Sequence, residues 1–326
     1  MENLISRAKF FLHNRFTGKV TEHIETIENI LEIVDTIPNQ HFWLSWYRKY
    51  LKSLYNHYRL ARFIPGRFIT LASNATKNAL DEITEGNKLV LKDIFLPCPI
   101  KNSDKPAFFE TICNSLLPYL LNDIDTEVLY QLSGFTSEVE GLYEYKNIRL
   151  KENEIVIDAG ANIGDFSALA GISGSKAFAF EPMPSCQDNY LSKTAKMNRN
   201  ITICDYALSD KRDELDFFDN CFGSASFIRK NQGANKIKVK TIDLDTFVKE
   251  NNLPSVDFIK ADIEGAERYM LRGAKQVLKE FSPKLAICTY HLPDDPQVLR
   301  ELILDANPDY IIEERWKKMY AYVPKQ

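Results

Sequence analysis

One junction constrains this chain more than any other feature. Glu154-Ile-Val-Ile-Asp158-Ala-Gly-Ala-Asn-Ile-Gly164 runs from a strand-length apolar segment, through a carboxylate, into a turn bracketed by Gly160 and Gly164. The helix-forming stretch Asp165 to Ala170 follows at once. A strand that ends in this way opens a βαβ unit, and ligands in open α/β sheets bind outside the carboxyl ends of the strands. Glycine at the turn tolerates positive φ and lets the backbone approach a ligand closely.

The rest of the C-terminal part keeps the same grammar. Short apolar runs at Ile155–Ile157, Ala177–Phe180, Ile201–Cys204, Val256–Lys260 and Lys284–Thr289 alternate with helix-length segments, the pattern of a parallel sheet. Being almost continuously apolar, most of these runs suit strands covered on both faces. Tyr310–Glu313 and Met319–Val323 are close enough in sequence to pair as a hairpin at the sheet edge, giving about seven strands. Leu215–Phe218 and Ile237–Thr241 alternate across a Gly/Ser/Asn-rich loop and read as a second hairpin, with Ser224 and Ser226 at its tip.

Before Gly134 the chain reads mainly as helix. Ile24, Ile27, Leu31 and Val34 share one helical face ending before Pro38, and Trp43, Trp46 or Tyr47, Tyr50, Leu54 and Tyr58 form a second stripe. Lysines between those aromatics suggest a nucleic-acid platform, but a buried face with solvated cations opposite explains the same spacing. Further helices are expected near 70–85, 106–122 and 125–132, with a strand at Lys88–Phe95 and a loop from Pro97 to Lys105. The expected organisation is thus 1–135, mainly helical, and 136–326, an α/β domain.

A net charge of −4 argues against a surface built to grip nucleic acid. No run reaches the roughly 18 apolar residues of a membrane helix. The basic-aromatic start, Met1 to Val20, lacks the apolar core and cleavage site of a signal peptide. Six cysteines, none in C-x-x-C spacing, read as reduced thiols, so a cytoplasmic location is expected.

The second apolar run ends in Phe180-Glu181-Pro182, which puts an acidic residue 23 positions after Asp158, where it can accept hydrogen bonds from ribose hydroxyls. A dinucleotide site would use the same architecture, but its G-x-G-x-x-G shapes a pyrophosphate cradle at a helix N-terminus. Here the order is Asp158-x-Gly160-x-x-x-Gly164. A carboxylate at Asp158 opposes a pyrophosphate and suits an ammonium, and Asn162 offers donor and acceptor to an amino-acid moiety. These residues favour S-adenosyl-L-methionine over NAD. The candidate cofactor set is Asp158, Gly160, Asn162, Gly164 and Glu181, with Asp205 and Ala207 after the third strand near the adenine.

The strings Val156-Ile-Asp-Ala-Gly-Ala-Asn-Ile-Gly164, Phe180-Glu-Pro182 and Val256-Asp-Phe-Ile-Lys260-Ala-Asp262-Ile-Glu264-Gly-Ala-Glu267, followed by Leu271-Arg-Gly-Ala274, resemble the successive motifs of the FkbM family of methyltransferases. The resemblance covers roughly residues 141–326 and leaves the first 135 residues unmatched. It implies a seven-stranded, Rossmann-like methyltransferase fold and transfer of a methyl group to oxygen. The acceptors it implies are hydroxyls of sugars, glycans, polyketides or other natural products.

An alcohol is a poor nucleophile, so a base or a metal must assist its deprotonation. Asp262 ends strand four and His291 follows strand five. Asp262, His291 and Glu264 are therefore the candidate catalytic residues, with a cofactor or loop hydrogen bond as the alternative role for Asp262. His291 can act as base, as a ligand of a divalent cation together with Asp262, or as loop structure. Glu267 is read as a first-turn carboxylate matched to a helix dipole and Lys260 as an ion-pair partner of a nearby carboxylate. His13, His23, His41 and His57 are read as surface or core residues. Competing functions are an NAD-binding oxidoreductase and a non-catalytic cofactor-binding module acting through the helical half. That half is expected to serve as a lid, a homo-oligomer interface or a docking surface for a partner enzyme.

Overall fold

The computed structural model describes residues 24–25, 27–37, 42–61, 68–101, 104–122, 124, 141–219 and 235–324. The start to Val20, the helix expected at 125–132, the boundary expected near 135, Cys221, Ser224, Ser226, His13, His23 and His41 lie outside these residues, as does the side chain of His57.

The N-terminal region is built from helices because its apolar residues recur at helical spacing. Residues 27–36 are helical and bury Ile27, Ile30 and Val34. Helix α1 (Phe42–Ala61) buries Trp43, Trp46, Tyr47, Tyr50 and Leu51, so its aromatic stripe is a core face and not a nucleic-acid platform. Helix α2 (Phe68–Glu82) packs on α1, and Trp46 Nε1 donates to Ala79 O at 2.8 Å. A three-stranded meander follows: β1 (Thr84–Glu85), β2 (Lys88–Leu91) and β3 (Ile94–Pro97). The single strand expected at Lys88–Phe95 is thus two, because Lys92 takes φ 56° and the chain reverses at Lys92-Asp93. Helix α3 (Lys105–Leu120) closes the region and buries Phe108, Phe109, Ile112 and Leu116.

The central sheet contains β4 (Ile155–Ala159), β5 (Lys176–Phe180), β6 (Ile201–Cys204), β10 (Phe258–Ala261), β11 (Lys284–Cys288), β12 (Ile311–Arg315) and β13 (Lys318–Tyr322). Its order is β12-β13-β11-β10-β4-β5-β6, all parallel except β13, which runs antiparallel to both neighbours. The seven expected runs are these seven strands. A smaller sheet, β7 (Ala207–Ser209), β9 (Asn235–Asp243) and β8 (Asp213–Asp219), contains the second expected hairpin, with Leu215 opposite Val239.

Alternate residues of each strand face opposite layers. Ile157, Phe178, Ile259, Leu285 and Met319 pack against α6 (Leu244–Glu250), α7 (Glu267–Arg272), α8 (Lys275–Glu280) and α9 (Asp295–Ala306). Val156, Phe258, Ala286 and Tyr320 face the other way, into a core shared with Phe108, Ile112 and Leu116 of α3 and with Phe166 of α4 (Asp165–Ile172). The helical region therefore supplies a covering layer of the sheet. Polar contacts reinforce this packing: Asn198, after α5 (Ser192–Met197), accepts from Phe95 N at 3.0 Å and donates to Phe95 O at 2.7 Å. Its amide pairs with the edge of β3 as a further strand would.

Replacing Asn198 with Ala leaves both backbone groups of Phe95 without that partner. The expected cost is about 1–3 kcal/mol of unfolding free energy, read from the midpoint of a urea transition. An unchanged midpoint would show that these contacts carry no stability.

Candidate active site

The turn after β4 is pressed between its neighbours. Gly160 has φ 75°, and a Cβ built there would stand 2.0 Å from Asp262 O, so only glycine fits. Gly160 N and Ala161 N both donate to Phe180 O at 3.0 Å, tying the turn to the end of β5. Gly164 has φ 83° and caps α4, where a Cβ would meet Leu191 and Thr194 at 2.8–3.0 Å.

Parallel register sets Lys260 of β10 beside Asp158 of β4, on the face covered by the helical region. Asp158 is 0 % exposed; Lys260 Nζ stands 3.0 Å from its Oδ1, and Ser167 Oγ donates to its Oδ2 at 2.6 Å. Lys260 Nζ also donates to Gly160 O at 2.6 Å. The carboxylate expected to face an ammonium is thus turned into the sheet, where it fixes the glycine turn through Lys260. Burial opposes the charge on Lys260, yet Asp158, Asp262 and Asp165 raise its pKa above the usual lysine range. Asp165, buried at the start of α4, is pushed up to about 7 by burial, against the opposing pull of nearby Ser115 and Lys260.

Glu181 follows β5, with both carboxylate oxygens held by backbone donors: Asn162 N at 3.0 Å and Met183 N at 2.9 Å. Burial raises its pKa to about 7. Asn162 has φ 48° and its Oδ1 lies 3.8 Å from Cys186 Sγ. Gln187 bridges the ends of β5 and β6, donating to Glu181 O and, at 3.0 Å, to Asp205 Oδ1. Asp205 is exposed, and Ala207 is buried in β7.

A second group gathers after β10 and β11. Asp262 Oδ2 accepts from Tyr143 Oη at 2.9 Å, and its Oδ1 lies 3.5 Å from Tyr290 Oη and 3.4 Å from His291 Nε2. Glu264 Oε2 lies 3.7 Å from the same His291 nitrogen. On the other side of the ring, Glu267 Oε1 stands 3.0 Å from Nδ1. Glu267 is fully buried and accepts from Ile263 N at 2.8 Å and Gly265 N at 2.9 Å. It is more than the dipole-matched carboxylate expected from its place in α7. Burial opposes charge on His291, but Glu267, Asp262 and Glu264 raise its pKa to about 9. Burial likewise opposes charge on Asp262, and the His291, Lys260 and Lys318 cations hold its pKa below the usual value.

The sheet brings Asp158, Gly160, Asn162, Gly164 and Glu181 together at one end of β4 and β5, and Asp262, Glu264 and His291 at the ends of β10 and β11. Tyr143, Tyr290, Ser167, Asp165 and Lys318 were missed in sequence. Tyr143 and Lys318 carried no signal, since neither lies at the carboxyl end of a parallel strand. Lys318 is buried, donates to Gly141 O at 2.8 Å and lies 4.2 Å from the Tyr143 ring centroid.

Lys260→Met removes the partner of a fully buried carboxylate and is expected to cost about 3–5 kcal/mol. Adding Asp158→Asn should recover much of that loss. Additive losses in the double variant, measured by denaturant unfolding, would show that the two residues do not act as a pair.

Residues 158–312 match the methyltransferase FkbM domain. The hexuronic acid methyltransferase AglP of Haloferax volcanii is 26% identical over 200 residues, covering 56% of this chain and 82% of the relative. Methyltransferase sdnD of Sordaria araneosa is 28% identical over 185 residues, 43% of this chain and 71% of the relative. The crystal structure of a methyltransferase FkbM from Methylobacillus flagellatus superposes with a TM-score of 0.43 at 24% identity; the match covers 68% of this chain and 59% of that one. Residues 158–312 carry a methyltransferase FkbM domain, and the chain is a methyltransferase.

Proposed function

We propose that this methyltransferase takes its methyl group from S-adenosylmethionine and delivers it to a hydroxyl oxygen of a sugar, a glycan or a related natural product. The observation that carries the cofactor reading is the charge at the carboxyl ends of β4, β5 and β10. At the ends of β4 and β5, Asp158, Asp165 and Glu181 all lie within electrostatic reach of the buried Lys260. Such an anionic excess attracts a sulfonium and an ammonium and repels the pyrophosphate of a dinucleotide.

Glu181 keeps lone pairs for ribose hydroxyls beyond those used by Asn162 N and Met183 N. The glycine turn admits the cofactor close to the backbone, and Asn162 addresses its amino-acid end. Asp158 acts one step removed, by holding the turn through Lys260. Asp205 and Ala207 border the adenine. When bound, adenosylmethionine supplies an electrophilic methyl carbon. Asp262, Glu264 and His291 would receive the acceptor hydroxyl and align its oxygen, and the ionised Asp262 carboxylate would take up its proton. Alignment of this kind can supply about 7–11 kcal/mol of the barrier. The sugar acceptor is supported by the name of the Haloferax relative, a hexuronic acid methyltransferase. Among the described residues no helix is long and apolar enough to cross a membrane.

Calorimetry with adenosylmethionine should show micromolar binding, against none with NADH, and Glu181→Ala should weaken it roughly tenfold or more, about 1.4 kcal/mol. Absence of binding by folded protein would end this reading. Because Glu181 and Asp165 ionise near pH 7 in the ligand-free protein, affinity for the cationic cofactor should rise from pH 6 to pH 8. Glu181→Gln should flatten that rise; a wild-type profile that falls with pH would contradict the charge argument.

A further inference from the structure

We propose that Asp262, Glu264 and His291 hold a divalent cation of the manganese-to-zinc series, with Glu267 supporting the imidazole from behind. The existence of the site stands on geometry alone; only its use in activating the acceptor rests on the methyl-transfer reading.

The two sides of the His291 ring differ in kind. Nδ1 lies 3.0 Å from Glu267 Oε1, an ordinary hydrogen-bond distance. Nε2 lies 3.4 Å from Asp262 Oδ1 and 3.7 Å from Glu264 Oε2. Charged N–H···O bonds are about 2.7–2.9 Å long, so these two separations are too wide for an imidazolium bonded to its carboxylates. They do match the spacing between ligands of one ion. Donors each about 2.1 Å from a metal stand about 3.4 Å apart along a tetrahedral edge. Asp262, Glu267 and His291 each offer a ligand atom within 4.8 Å of the others. Glu267, however, meets the Nδ1 side, and its oxygens accept from Ile263 N and Gly265 N. That assigns Nε2, Asp262 and Glu264 to the cation and Glu267 to the carboxylate–histidine support common behind metal-bound imidazoles.

The surroundings agree. The His291 side chain is 1 % exposed, while those of Asp262 and Glu264 are 20 % and 30 % exposed. The cluster is therefore anchored on the protein side and open on the other, as in sites that keep a coordination position for water or substrate. Glu267 also bonds the backbone on both sides of Glu264, whose φ of 57° is unusual for a residue other than glycine. One nitrogen and two carboxylates suit the manganese-to-zinc series better than calcium or magnesium, which prefer oxygen throughout. A cation there would acidify a coordinated hydroxyl, the step an alcohol acceptor most needs.

The test is a titration of the full chain, stripped with EDTA and free of any histidine tag, with Co²⁺ followed by its visible d–d absorbance. One Co²⁺ per chain is expected, and Mn²⁺ and Zn²⁺ should compete for it. Glu264→Gln, at a partly exposed position, should weaken binding at least tenfold, His291→Ala should abolish the spectrum, and Glu267→Gln should weaken binding about 10–100-fold. Thermal unfolding establishes that each variant is folded, and adenosylmethionine calorimetry runs on the same samples. No saturable Co²⁺ binding by folded protein overturns the proposal, as does binding indifferent to both Glu264→Gln and His291→Ala. Cation binding without adenosylmethionine binding upholds the site and removes the cofactor reading; the converse removes the cation and leaves the cofactor reading standing.

Discussion

The architecture of the site depends on one buried ion pair. Asp158 and Lys260 are neighbours across β4 and β10, shut away from solvent, and neither would be tolerated there alone. The pair does more than neutralise itself. Lys260 also donates to Gly160 O, and Gly160 and Ala161 donate onward to Phe180 O, so a contact inside the sheet fixes the loop between strands. Backbone so restrained loses little freedom when a ligand settles on it, which is the general advantage of a preorganised site. Asp158 thus fixes the glycine turn without having to touch a ligand.

Most of the sheet was legible because parallel strands buried on both faces announce themselves as short apolar runs. Each of the seven runs became a strand, and the hairpin from β12 to β13 sits at the edge, as its spacing implied. The residues proposed for the cofactor could be named for a related reason: they lie at the ends of those same runs. The sequence pattern placed Asp158, Glu181 and Asp262 correctly along the strands but not the directions in which they point. The inward turn of Asp158 follows from strand register, and register across a parallel pair is set by tertiary packing. The split of Lys88–Phe95 into β2 and β3 was hidden because Lys92-Asp93 differs little from any polar pair within an alternating strand. Tyr143 and Lys318 reach the site from elements whose local pattern carries no catalytic signature.

The helical region emerges as part of the machinery of the sheet. It covers one face, shares that core, and docks through the pairing of Asn198 with Phe95. It also reaches the chemistry through two short relays. Asn114 O of α3 accepts from Tyr143 N at 3.2 Å, and Tyr143 in turn holds Asp262. Ser115, the next residue of α3, lies close to Asp165 beside the Asp158–Lys260 pair. A shift of α3 would therefore be felt at both halves of the site.

The two halves are built by different means. The proposed cofactor half is largely backbone: a glycine turn, two amides on Phe180 O, and two more on Glu181. Such a surface is insensitive to most side-chain exchanges but intolerant of any Cβ at Gly160. The proposed acceptor half is largely side chain: Asp262, Glu264, His291, Tyr143 and Tyr290, contributed by loops and an outer segment. Loops carried on a rigid scaffold can change shape without unsettling the core. A chain organised in this way can keep one methyl donor while its acceptor varies. On the proposed function, specificity among hydroxyls falls to the residues around Asp262, where Tyr143, Tyr290 and the buried Lys318 gather.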